Sequence, residues 1–197
     1  MKRFLIPFLF LSFLVLSVSD ALSQEQKPGE FKITSPVFEN NSDIPPRYAC
    51  DGKNISPPFE IKNVPPQVKS LALIEDDLDA PRGSYVHWIL WNIEPMGKEI
   101  KENSIPEGAI QGTNDFKQRN YGGPCPPSRA HRYVFKVIAL DRRLDLSPDS
   151  TKVDLQKTIK GHVIGEAQLI GRYKKGKTII PKESKGSQWH SINISGQ

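Results

Sequence analysis

The sequence predicts a mainly β fold, a β-sandwich in one domain with one short helix. Two observations carry the β class. Seventeen prolines and fourteen glycines divide the 197 residues into short apolar runs, the punctuation expected of strands joined by loops. Those runs alternate in polarity or are apolar on both faces, as strands do when half or wholly buried. A composition of 37% hydrophobic and 25% charged residues is enough for a single core.

The N-terminus reads as an export signal. Met1, Lys2 and Arg3 give a basic start, and residues 4–18 are apolar apart from Pro7, Ser12 and Ser17. Ala21 and Ser23 place small residues where a signal peptidase reads them, so cleavage is expected after Ser23 and an uncleaved anchor is the competing reading. The apolar run is short for a membrane span. The expected organisation is a signal peptide over 1–23, an N-terminal extension over 24–30, the folded domain over 31–173 and a basic tail over 174–197. The mature protein is expected to be periplasmic or secreted.

Strands are predicted over 31–37, 70–77, 85–93 and 132–140. In the second, Leu71, Leu73, Glu75 and Asp77 alternate with Ala72, Ile74 and Asp76; the fourth is apolar on both faces at its centre. The helix opens at Thr151, with Asp154 three residues on and Leu155, Ile159 and Val163 along one face, and Gly161 and Gly165 weaken its end. A last strand follows over 167–173, with Ala167, Leu169, Gly171 and Tyr173 on one side.

Charge is uneven along the chain. Without the signal peptide there are 25 basic and 21 acidic residues; six of the basic ones fall after residue 171 with only Glu183 against them. The body is near neutral, which argues against nucleic acid as a partner. The tail is either a solvated extension or a weak contact with an anionic surface. Cys50 and Cys125 are the only cysteines, either a disulfide in an oxidising compartment or two buried thiols.

Three segments at predicted strand ends hold the candidate chemistry: DDLDAP at 76–81, SYVHW at 84–88, and YGGPCPPSRAHRY at 121–133. The proline-rich loop makes a stiff wall with few N–H donors. His131 and Tyr133, two apart on a strand, face one side, and Arg132 faces the other. His87 sits among Tyr85, Trp88 and Trp91, an aromatic setting that suits a pocket or a core. Imidazole and phenol donors suit an anion. A bare carboxylate would repel one, so Asp77 is better used to hold a histidine tautomer, or to accept from the cationic end of a zwitterion. Asp79 is either a ligand contact or a turn cap. No metal-binding His spacing, nucleophile elbow, dinucleotide fingerprint or P-loop is present, so neither an enzyme nor a metal or other cofactor is expected.

DLDAP at 77–81, VHW at 86–88, and YGGPCPP followed by HRYVFKVIAL resemble the phosphatidylethanolamine-binding protein family, above all its bacterial and archaeal Raf-kinase-inhibitor-like branch. CDGKNISPPFE at 50–60 and GHVIGEAQLIGRY at 161–173 resemble that branch too, so the likeness runs from about residue 31 to 173. The resemblance implies a sandwich in which a large central antiparallel sheet is flanked by a smaller one, with a small cavity for phosphate and phosphoethanolamine-like headgroups. By motif, Asp77, His87, His131 and Tyr133 would line it and Pro126 and Pro127 would wall it. Arg132 would be structural, paired with an acid such as Glu75. The expected function is an exported, non-catalytic binding protein for a small phosphorylated or zwitterionic ligand. A protein partner, as an inhibitor of a protease or other enzyme, is the alternative, and a weak hydrolase the third reading.

Overall fold

A computed structural model describes residues 29–96 and 99–176; the predicted signal peptide and nearly all of the basic tail lie outside them. The strands form two sheets. A three-stranded sheet has the order β1 (Lys32–Thr34), β3 (Phe59–Lys62), β6 (Glu99–Ile100). A six-stranded sheet runs β2 (Ser42–Asp43), β9 (Val163–Tyr173), β8 (His131–Leu140), β4 (Ser70–Asp77), β5 (Tyr85–Ile93), β7 (Ile110–Gln111). All pairings are antiparallel except that of β2 with β9. The fold is the predicted sandwich.

Both faces of the central strands are buried because each has its own apolar cover. Leu71, Leu73, Trp88, Leu90, Phe135 and Val137 join Phe59 and Ile61 of the small sheet in one cluster. On the opposite face Ala72, Ile74, Ile89, Trp91, Ile138 and Leu140 pack with Leu155 and Ile159. Leu155 belongs to α1 (Lys152–Thr158), and Ile159 caps that helix. The expected N-terminal signal holds: the Asp154 carboxylate accepts from the Thr151 N–H at 2.9 Å and hydroxyl at 2.8 Å, which occupies an orphan donor of the first turn.

Several boundaries differ from the sequence reading, including the start of β8, which takes in His131. The first strand ends at Thr34 because Ser35 turns its hydroxyl onto the Pro58 carbonyl and Pro36 has no N–H for a ladder. The helix stops early, since Gly161 takes a positive φ of 83°, open to glycine at little cost. Val163, expected on the helix face, therefore begins β9 and is exposed, and its backbone pairs opposite Leu140. Cys50 and Cys125 are joined as a disulfide across 75 residues.

Candidate functional site

The candidate residues gather at one end of the large sheet because strand register brings them there. Asp77 ends β4 opposite both Tyr85 of β5 and Tyr133 of β8, while His131 opens β8. Asp77, His87, His131 and Tyr133 are all buried, none more than 5% exposed.

His87 owes its position to a β-bulge. Glu75 pairs with Trp88 and Asp76 with Val86, so His87 is the extra residue on β5. Simple alternation would put His87 and Trp88 on opposite faces; a bulge lets consecutive residues share one. Val86 accordingly packs in the outer cluster and Trp88 in the inner one, while the His87 ring meets Tyr133 edge-on at 5.2 Å between centroids. Phe116 and Tyr85 stand against it at 5.1 and 5.6 Å. The aromatic setting is therefore split: Trp88 and Trp91 belong to the core, and Tyr85, Phe116 and Tyr133 surround the histidine.

Both imidazoles are anchored through Nδ1. That of His87 donates to the Gly122 carbonyl at 2.6 Å, which as an acceptor only fixes the proton on Nδ1. The His87 carbonyl accepts in return from Gly122 N at 3.1 Å and from Asn114 Nδ2 at 3.2 Å. His131 Nδ1 lies 2.8 Å from Asp77 Oδ2, and Asp77 Oδ1 accepts from Asp79 N at 2.9 Å. Asp77 is thus placed to hold a His131 tautomer, and among the described residues neither histidine has a hydrogen-bond partner at Nε2. Burial holds the His87 pKa below its ordinary value, and the Gly122 bond only partly opposes this. Burial, with the Asp77 charge, pushes the Tyr133 phenol well above the usual range. Among the described residues its hydroxyl makes no hydrogen bond of good geometry, although the Asp77 carboxylate and the Cys125 backbone lie near it.

One expected role changes. Arg132 pairs with Asp79 rather than Glu75. Its Nε and Nη2 reach the two Asp79 oxygens at 2.9 Å each, and its backbone N–H adds a third bond. The reason is strand parity, since Arg132 is exposed whereas Glu75 points into the inner face. Asp79 is engaged by this fork, which pulls its pKa down, and it ties the turn after β4 to the start of β8. The glycines of the loop admit the protein's own groups: a Cβ on Gly123 would stand 2.4 Å from the Tyr48 carbonyl, and one on Gly122 would stand 2.6 Å from the Phe116 ring. Of the two prolines expected in the wall, Pro126 is buried next to the disulfide-bonded Cys125 and Pro127 is exposed.

Several residues carry the site without a sequence signal. Asn114 donates to the His87 and Asn120 carbonyls and accepts from Gln118 N. Asp115 accepts from Val86 N at 2.7 Å. Residues 112–122 therefore cover the edge of β5 where no strand pairs with it. Lys152 of α1 clamps Asp76 at 2.7 and 2.8 Å, which keeps that charge engaged on the outer face. Among the described residues no group of three or more His, Cys, Asp or Glu is placed to hold a metal ion.

The model of the family described as phosphatidylethanolamine-binding protein matches residues 34–174. The chain belongs to this family. A UPF0098 protein of Methanothermobacter thermautotrophicus is 49% identical over 145 residues, covering 71% of this chain and 96% of the relative. Another, from Pyrococcus horikoshii, is 42% identical over 180 residues, covering 87% and 89%. Among solved structures, a putative family homolog from Chlamydia trachomatis has 38% identity and a TM-score of 0.72 over 74% of this chain and 98% of its own. E. coli YbcL, described as a new member of the mammalian family, has 28% identity and a TM-score of 0.71 over 75% and 100%. Family membership fits the sandwich and the motif positions; the family's name speaks of a ligand, which for this chain is a matter of inference.

Proposed function

We propose that the buried cluster of Asp77, His87, His131 and Tyr133 binds a small phosphorylated anion or zwitterion, and that the protein is an exported binder rather than an enzyme. The observation that carries this is the pair of imidazoles locked through Nδ1, each with Nε2 left for a ligand. The Asp77 carboxylate already accepts from His131 and Asp79, so its charge is partly neutralised where an anion would approach. Tyr133 is a poor nucleophile or base because its phenol stays protonated. The Cys50–Cys125 disulfide supports an oxidising compartment, in keeping with the signal peptide read at 1–23.

The chemistry sets a sign for pH. A neutral His87 presents a lone pair at Nε2, and an anion needs a donor there, so binding should draw a proton onto the ring or bring one with it. Titration calorimetry with inorganic phosphate and with phosphoethanolamine is expected to show binding that tightens towards pH 6. Matched titrations in buffers of different ionisation enthalpy are expected to show net proton uptake. His87→Ala/His131→Ala is expected to abolish binding. Equal affinity in that variant would sink the reading.

A further inference from the structure

Beneath the histidines lies a group that their arrangement does not explain. Glu75 is fully buried, and among the described residues neither carboxyl oxygen has a hydrogen-bond partner. The Tyr133 hydroxyl is buried too and makes no hydrogen bond of good geometry among them, with the Asp77 carboxylate and the Cys125 backbone nearby. These groups are neighbours: across the β4–β8 ladder Asp77 stands opposite Tyr133 and Glu75 opposite Phe135. Glu75 and Tyr133 are thus diagonal on one face, a spacing that long and aromatic side chains bridge.

The surroundings favour the neutral form of the Glu75 carboxyl, pushing its pKa well above the ordinary value. Burial is the main cause, and the charges of Asp76 and Asp77 on the same strand add to it. On β8 the facing titratable group is Tyr133, and from the proline-rich loop it is Tyr121, whose own hydroxyl donates to the Tyr48 carbonyl. On β5, His87 packs against Tyr133 and is kept neutral by burial. None of these groups is a fixed cation. A neutral acid and a neutral phenol are both O–H donors, and leaving a buried polar group unsatisfied is costly.

We propose that Glu75 and Tyr133 form a two-donor oxyanion site on the inner face of the β4–β8 ladder, each giving its O–H to a phosphoryl oxygen of the bound ligand, directly or through one water. A phenol beside a carboxylic acid kept neutral by an apolar site is a proven arrangement for binding an oxyanion. The histidines would then hold the outer oxygens and Glu75 with Tyr133 the innermost. This rests on the anion-binding reading of the histidine cluster and adds Glu75 to it as a specificity-determining residue.

Phosphate titration at pH 7 of wild type, Glu75→Gln, Glu75→Leu and Tyr133→Phe tests it. Glu75→Leu and Tyr133→Phe are each expected to weaken phosphate by about 10-fold, the loss of one donor to a charged acceptor. Glu75→Gln keeps an N–H donor and should stay within about 3-fold of wild type. Thermal unfolding of each variant confirms that it is folded. Leucine binding as tightly as wild type, with His87→Ala/His131→Ala inactive, would overturn this proposal and leave the anion reading intact. Glutamine as weak as leucine would also overturn it, since packing alone would then explain the loss. Wild type that binds no phosphate would remove the anion reading, and this site with it. A second measurement needs no binding by a variant: the carboxylic-acid infrared band assigned by its loss in Glu75→Gln should shift when phosphate is added to wild type. An unshifted band overturns the proposal.

Discussion

Replacing Cys50 and Cys125 together by alanine is expected to cost about 4 kcal/mol of folding stability, read from denaturant unfolding of the variant beside the oxidised parent. The bridge spans 75 residues, and closing so long a loop removes entropy from the unfolded chain, worth about 4 kcal/mol on the chain-entropy model. For a domain of this size that corresponds to a fall in Tm of roughly 10 °C. The native contacts at the bridge do not substitute for it. Cys50 N donates to the Pro124 carbonyl, Gly123 N to Asn54 Oδ1 and the Tyr121 hydroxyl to the Tyr48 carbonyl, but all three are absent from the unfolded state. These bonds should preserve the fold of the wall once it forms, so phosphate affinity should fall less than stability does. A variant as stable as the parent would mean that the reduced chain is already compact around this loop.

The fold was legible because its strands obey local rules. The predicted spans 70–77 and 85–93 coincide with β4 and β5, and Thr151 with Asp154 marked the start of the helix. What escaped was non-local. Nothing in VHW announces that His87 is a bulge residue, since a bulge is defined by the register of the partner strand. Phe116 and Asn114 lie far from the recognised motifs and reach His87 only through the path of residues 112–122. Arg132 and Glu75 carry opposite charges, but strand parity points them to opposite faces. The period-2 rule already held that information: Glu75 shares the face of Leu71 and Leu73, both in the inner cluster, so a carboxyl on that face had to be buried. The site itself was legible as residue types at strand ends, while the anchoring of each Nδ1 required the structure.

The same Glu75 is expected to make the protein less stable as pH rises. Its pKa in the folded state lies well above the ordinary 4.5 because burial penalises the charged form, whereas in the unfolded chain it titrates normally. Above about pH 4.5 the folded state therefore binds one more proton than the unfolded state. Stability falls by about 1.4 kcal/mol per pH unit from this group until the folded carboxyl itself ionises. Glu75→Gln cannot titrate, so the difference in unfolding free energy between variant and wild type should grow in the variant's favour along that slope from pH 5 upward. His87, whose folded pKa is depressed, contributes the opposite trend at the acid end, but it is common to both proteins and cancels in the difference. Glu75→Leu, which also removes an unpartnered polar group from beside Leu73, should be about 2 kcal/mol more stable than wild type at pH 7. A pH-independent difference between Glu75→Gln and wild type would show that Glu75 ionises alike in both states. A gain in stability from leucine accompanied by weaker phosphate binding would be the signature of a residue whose burial costs the fold and serves the ligand.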